Sequence, residues 1–263
     1  MTVLKAENIS ILFGGLKAVS NFNLELKAGE LVGLIGPNGA GKTTIFNILT
    51  GVYTPTSGSI LLQGRNDSLQ NVTKFQPYQI TGLGMARTFQ NIRLFKNLTV
   101  LDNVRIATHF NTKYTIFHSI LRLPAFYKEE QRIKRRCKEL LKIFDLEQKS
   151  DELAKNLSYG EQRKLEIVRA LATNPHILLL DEPAAGMNPQ ETQDLMELIK
   201  FIKEKFNLTI LLIEHDMNLV MGICQRIIVL DYGQVIAQGK PAEIAKNPRV
   251  IKAYLGKENE NDA

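Results

Sequence analysis

The chain has 263 residues, 44% of them hydrophobic and 23% charged, and 33 Lys and Arg against 27 Asp and Glu leave a net charge of +6. That length buries a sizeable core, as one large domain or as one domain with an inserted subdomain. No apolar run approaches bilayer length, MTVLKAENIS lacks the apolar core of a signal peptide, and Cys137 and Cys224 lack metal-ligand spacing. A membrane-spanning chain, a secreted precursor, a disulfide framework and a zinc site are therefore all disfavoured, and the expected location is the cytosol.

The first third reads as β-rich. VLKAENISILF (3–13), FNLELKA (22–28) and SILLQG (59–64) are short runs bounded by Gly, Asn or Ser. Such runs are expected of strands. LVGLIG (31–36) is almost wholly apolar, which suits a strand buried on both faces. From about 92 to 158 helical periodicity takes over, interrupted at RLPAF (122–126), and predicts a helical subdomain inserted in an α/β core. Within it, residues 127–146 interleave Glu with Lys and Arg around apolar positions at helical spacing. That pattern is a solvated helix face, and nucleic-acid binding is not expected there.

The α/β pattern then resumes. ILLLD (177–181) predicts a strand, PQETQDLMELIKFIKEKF (189–206) an amphipathic helix opened by Pro189, and LTILLIEH (208–215) a second buried strand. RIIVLDYGQVIAQG (226–239) predicts a hairpin turning at Tyr232-Gly233, followed by a short helical tail near AYLG (253–256) and a polar end, 257–263, expected to be disordered.

GPNGAGKTT, comprising Gly36, Pro37, Asn38, Gly39, Ala40, Gly41, Lys42, Thr43 and Thr44, comes directly after the buried strand and opens a helical stretch. It fits the P-loop spacing in the strand–loop–helix setting that the motif requires. Backbone N–H groups and the helix N-terminus favour phosphate, Lys42 reaches the β- and γ-phosphates, and the Thr43 hydroxyl suits Mg²⁺. Asp181 at the tip of ILLLD then has a reason to be there, since Mg²⁺ supplies the opposite charge that a buried strand end lacks. Glu182 is left to orient or deprotonate the attacking water. In LSYGEQRKLEIVRAL (157–171), Ser158 and Glu161 have capping-box spacing, which a plain helix start explains. The same physics makes Ser158 and the N–H groups around Gly160 an anion site. With one P-loop already present, a second anion site suggests the γ-phosphate of another subunit.

LSYGEQ resembles the signature of the ABC ATPases, with Tyr159 and Glu161 as departures. The family's other motifs appear in order around it: Phe13, GPNGAGKTT, Gln90 in ARTFQ, LLLDEP, and His215 in IEHD. The resemblance covers residues 3 to about 256. It implies a RecA-like P-loop NTPase core of α/β class, with an antiparallel β-subdomain and an inserted helical subdomain, in a single domain over 1–256. It implies that Phe13 stacks on adenine, although a strand-end core aromatic is the competing reading. It also implies that Gln90 touches Mg²⁺ and water, that His215 holds the γ-phosphate, and that Ser158, Gly160 and Glu161 face the nucleotide of a partner. Asn188 in AAGMNP stands where the family commonly has Asp, which leaves the dimer contact there open.

FGGLKAVSNFNLEL, GMARTFQNIRLFKNLTVLDNV, DEPAAGMNP, NPRVIKAYLG and the long stretch 105–136 are similar to the ATP-binding subunit of branched-chain amino acid importers. The resemblance then implies ATP and Mg²⁺ as cofactors, a second ATPase subunit of the same or a paralogous chain, and two transmembrane permease subunits. A secreted solute-binding protein is implied indirectly, and the chain would sit peripherally on the cytoplasmic face of the membrane. Urea, amide or other solutes, including exported ones, are the alternative cargo. A non-transport ABC ATPase is the alternative class, disfavoured because there is neither a second cassette nor a long coiled-coil insert. Within 91–104, Phe95 is the apolar residue expected to be exposed, while Leu98 and Val100 read as core.

Overall fold

The computed structural model describes residues 1–108 and 124–255. The expectation for the polar tail lies outside these residues, as do Arg122 and Leu123 of RLPAF and the middle of the 105–136 insertion, while the rest of RLPAF starts a helix. The chain divides into two compact units, Met1–Arg87 with His176–Ala263, and Thr88–Pro175.

The first unit is organised by runs of apolar residues. β3 (Leu31–Ile35), β7 (Ile177–Asp181) and β8 (Thr209–Ile213) are buried at every position. Strands covered on both faces read as continuous apolar stretches, and these three lie side by side in a six-stranded sheet. Its order is β10 (Gln234–Gly239), β9 (Arg226–Asp231), β3, β8, β7, β6 (Met85–Arg87). All neighbours pair in parallel except β10, which closes a hairpin onto β9. Side chains alternate between the two faces. Val32, Leu34, Leu179, Leu211, Ile213 and Ile228 share one cluster with Ile45, Phe46 and Leu49 of α1 (Lys42–Leu49). On the opposite face a Cβ at Gly33 would lie 3.0 Å from Cys224 Sγ and 3.2 Å from a Val220 methyl, so α7 (Met217–Ile223) rests directly on the strand there.

The second sheet is antiparallel, in the order β2 (Leu16–Lys27), β1 (Thr2–Phe13), β4 (Ser57–Gln63), β5 (Leu69–Asn71). Its inward residues, among them Leu4, Phe22, Leu24 and Leu62, join the α1 cluster. Burying one such side chain is worth about 1.5–3 kcal/mol. β2 begins at Leu16, six residues earlier than the strand expected from FNLELKA. The cause is a tight turn: Gly14 and Gly15 both have positive φ, and Phe13 pairs with Leu16 across them. The short elements β5, α2 (Pro77–Leu83) and β6 lie in the stretch 65–91, where apolar periodicity carries no clear signal.

In the second unit the described helices are α3 (Val100–Thr108), α4 (Pro124–Ile143) and α5 (Tyr159–Ala172). Helical periodicity marks this unit at about 92–158, and α5 belongs to it as well. Val104, Cys137, Leu141, Leu165 and Val168 are buried, and the charged positions of α4 are left mostly outward, as a solvated face requires. The non-helical segment before α3 is held by Asn103, whose buried amide donates to the carbonyls of Phe95 at 3.1 Å and Thr99 at 3.0 Å and accepts the Phe95 N–H at 2.9 Å. The segment is therefore fixed while the Phe95 ring stays half exposed. Val100 is buried and Leu98 partly so. α6 (Pro189–Lys205), back in the first unit, starts at the expected proline. Asn188 caps it by accepting the Glu191 N–H at 2.9 Å, a role that Asn and Asp fill equally well.

Candidate active site

The parallel register brings the C-terminal ends of β3, β8 and β7 together, with Leu34 opposite Ile213 and Ile213 opposite Asp181. The segments leaving these strands therefore emerge at one edge, the usual site of chemistry in an open α/β sheet. They are Gly36–Thr44 after β3, Glu182 after β7, and Glu214-His215 after β8.

The loop after β3 depends on its glycines. A Cβ at Gly36 would lie 2.2 Å from the Leu230 carbonyl, and Gly41 adopts φ +101° as the cap of α1. The β9–β10 turn braces the loop, since Gly233 N–H donates to the Ala40 carbonyl at 2.9 Å. Lys42 is buried, and its ammonium donates to the carbonyls of Gly36 at 2.6 Å and Pro37 at 3.0 Å. Asn38, Gly39 and Thr43 are exposed on the loop, while Pro37 is buried and Thr44 lies between. No acidic residue occupies the first turn of α1, so the helix end is open to an anion.

Asp181 is 2% exposed, and its opposite charge comes from the protein itself. The Arg87 guanidinium donates to Asp181 Oδ2 at 2.7 Å, to Asn47 Oδ1 at 2.8 Å and to Thr50 Oγ1 at 3.2 Å, and it stands over the Phe46 ring. This corrects the expectation that Asp181 lacks a cation without Mg²⁺. Nothing in motif spacing singles out Arg87, although an arginine directly before TFQ, on a strand beside β7, is the signal in retrospect.

Glu182 holds a left-handed backbone at φ +47°, an uncommon state for a non-glycine residue. It is locked there by its N–H donating to the Ile213 carbonyl at 2.9 Å. Its carboxylate Oε2 is 3.8 Å from His215 Nδ1, and the imidazole is largely exposed. A carboxylate beside an imidazole at the open edge of the sheet can take a proton from a water and steady the charge that results. Glu214, by contrast, is fully buried, and within IEHD the motif singles out His215 instead. Its carboxylate accepts N–H groups from Ala184 at 2.8 Å, His215 at 3.1 Å and Asp216 at 3.4 Å, and burial raises its pKa. It therefore ties the loop of His215 to the loop of Glu182.

Phe13 is exposed, so it is not a core aromatic, and Tyr53 supports it edge-on with ring centroids 5.3 Å apart. In the second unit Gln90 is exposed. Ser158 caps α5: its Oγ accepts the Glu161 N–H at 3.4 Å, and its own N–H donates to Glu161 Oε2 at 3.0 Å. Glu161 also pairs with Lys149 at 2.6 Å, and that contact, first, together with the Ser158 N–H lowers its pKa. Gly160 is partly exposed on the same turn.

A family model described as ABC transporter matches residues 19–185. The chain is 48% identical over 254 residues to the high-affinity branched-chain amino acid transport ATP-binding protein LivG of Escherichia coli, covering 97% of this chain and 98% of that protein. The chain belongs to the ABC transporter family. A second model, described as branched-chain amino acid ATP-binding cassette transporter, matches residues 234–260 of the cassette, the stretch that carries β10, α8 (Pro241–Ile244) and α9 (Pro248–Leu255). Among solved structures, an ATP-binding cassette of an ABC transporter in its ADP conformation superposes with a TM-score of 0.82 at 30% identity, covering 97% of this chain and 99% of the other. A further cassette, solved as a dimer in a post-hydrolysis state with ADP and Pi, has a TM-score of 0.75 at 28% identity and covers 90% and 98%. The α/β cassette fold and the ATPase class expected from the motifs thus hold for this chain. No helix among the described residues is long and apolar enough to cross a membrane.

Proposed function

We propose that the chain is the ATP-hydrolysing subunit of an importer for branched-chain amino acids, working on the cytoplasmic face of the membrane with two separate permease subunits and, indirectly, a secreted solute-binding protein. The observation that carries this reading is the convergence of Lys42, Asp181, Glu182 and His215 at one edge of the parallel sheet. The similarity to LivG along nearly the whole chain supports the choice of cargo.

The N–H groups of Gly36–Thr44 and the Lys42 ammonium hold the β- and γ-phosphates, and Phe13 faces the adenine. Thr43 and Asp181 are hard oxygen donors suited to Mg²⁺, and Gln90 is assigned to the same ion and to water. When bound, Mg²⁺ neutralises charge on the phosphate oxygens. Asp181 can serve both Arg87 and a cation, because a carboxylate offers about four lone-pair sites. Glu182 takes a proton from the attacking water, and His215 steadies the γ-phosphate. Ser158, Gly160 and Glu161 are given to the nucleotide of a second cassette, so two chains enclose two ATP molecules.

The test uses the purified chain. Lys42→Ala should lose roughly 2–5 kcal/mol of nucleotide binding, as when one member of a close charge pair is removed. Glu182→Gln should bind ATP yet hydrolyse it about 10²–10⁴-fold more slowly, and should elute as a dimer on gel filtration with ATP. Wild-type turnover in Lys42→Ala would sink the site assignment. A Glu182→Gln chain that stays monomeric when saturated with ATP, alone and with a paralogous cassette, would sink the two-chain arrangement.

A further inference from the structure

The second unit contains a buried pair of opposite charges to which ATP hydrolysis assigns no role. Arg163 and Glu166 sit one turn apart on α5, each 2% exposed, with Nη1 3.3 Å from Oε2. Their remaining bonds go mostly to the main chain of one short segment. Arg163 Nη1 donates to the Phe89 carbonyl at 2.7 Å, and Nη2 donates to the carbonyl of Gln90. Glu166 accepts the Arg93 N–H at 3.3 Å, and Arg169, further along the helix, donates to the Arg93 carbonyl. The helix that opens at Ser158 therefore grips Phe89, Gln90 and Arg93 by their backbones.

Tyr159 belongs to the same network. Arg163 Nη2 donates to its hydroxyl at 3.1 Å, and the guanidinium stands 5.5 Å from the centre of its ring. Tyr159 is one of the two departures from the signature pattern, and its side chain is about half exposed. One guanidinium nitrogen, Nη2, thus touches both the signature turn and the Gln90 backbone. Burying such a pair carries a desolvation cost that apolar packing would avoid, and the return is a single fixed geometry.

We propose that Arg163 is a positioning residue that locks the backbone of Gln90 to the signature turn, with Tyr159 as the exposed end of the lock. A displacement at either end is then passed to the other. The consequence for turnover rests on the proposed ATPase function; the lock itself does not. Arg163→Lys keeps the charge but replaces the planar fork, whose two nitrogens reach separate carbonyls, with one compact ammonium, and Tyr159→Phe removes only the hydroxyl.

Hydrogen exchange on the full-length variants reads the lock without turnover. The amide of Arg93 and its neighbours in 88–95 should exchange about tenfold faster in Arg163→Lys, as expected when a local opening becomes easier. Unchanged exchange in that variant would overturn the lock. Where Arg163→Lys melts low, Tyr159→Phe with a wild-type Tm carries the same measurement, with the same two outcomes. A double-mutant cycle of Tyr159→Phe with Gln90→Ala then reads transmission. The combined effect on kcat should depart from the product of the single effects by about fivefold or more. Multiplicative effects would overturn transmission while leaving the ATPase reading intact. A wild-type chain that hydrolyses no ATP would overturn transmission and the ATPase reading together, and hydrogen exchange would still decide the lock.

Discussion

Arg87 and Asp181 form a buried ion pair, Nη2 to Oδ2 at 2.7 Å, across 94 residues of sequence. The same guanidinium also bonds Asn47 and Thr50 of the α1 segment, so it ties the helix behind the phosphate loop to the tip of β7. Removing it leaves a carboxylate in the interior without that partner. Arg87→Ala should cost about 3–5 kcal/mol of stability, as for a broken buried pair, measured by urea unfolding. Arg87→Lys should recover part of the stability but little of the turnover, because one compact ammonium does not span the Asn47 and Thr50 acceptors of Nη1 and the Asp181 acceptor of Nη2. Wild-type activity in Arg87→Lys would show that the fork is dispensable.

Glu214 holds the loops of Glu182 and His215 at once through backbone N–H groups. Glu214→Gln offers one acceptor oxygen where the carboxylate offers two, so one loop is released. The expected result is a kcat lowered about tenfold, the effect of losing roughly 1.4 kcal/mol of transition-state stabilisation, with KM for ATP little changed. Steady-state kinetics decide it: a change confined to KM would assign Glu214 to nucleotide binding instead.

Phe95 presents its ring to solvent while its backbone is fixed by Asn103. Its ring also lies 5.9 Å from the Arg169 guanidinium, giving a mixed apolar and basic surface that suits an amphipathic partner helix. Phe95→Asp should leave the ATPase activity of the free chain nearly intact while abolishing co-purification with the permease subunits and solute uptake. Normal assembly and uptake by this variant would move the docking surface elsewhere.

His176 leads into β7 beside Gly84, where an added Cβ would come within 2.4 Å of its Nδ1. Burial lowers the pKa of this imidazole below its ordinary value of about 6.5. A depressed folded-state pKa contributes stability that is present above the unfolded value and is lost as pH falls through the folded one. The Tm of the wild-type chain should therefore drop between about pH 7 and pH 5, and His176→Gln should show a smaller drop over the same range. Parallel melting curves for the two proteins would remove His176 from the acid response.

Local chemistry made much of this protein readable before any coordinates. A buried strand into a glycine loop into a helix is written in LVGLIGPNGAGKTT, because apolar continuity, small residues and helix formers each act within a few positions. LLLDEP is equally local, whereas His215 in IEHD was legible only through the family resemblance. The Phe13-Gly14-Gly15-Leu16 hairpin was also local, yet the apolar run that would have marked it starts only at Phe22. Other features depended on neighbours distant in sequence. Arg87 meets Asp181 because β6 lies beside β7, with Arg87 in register with Leu179. Glu214 meets Ala184 because β8 lies beside β7. Arg163 meets Gln90 because α5 packs on the segment after β6. Ion pairs and buried carboxylates carry no sequence period of their own, so their partners are set only when the strands and helices have taken their order.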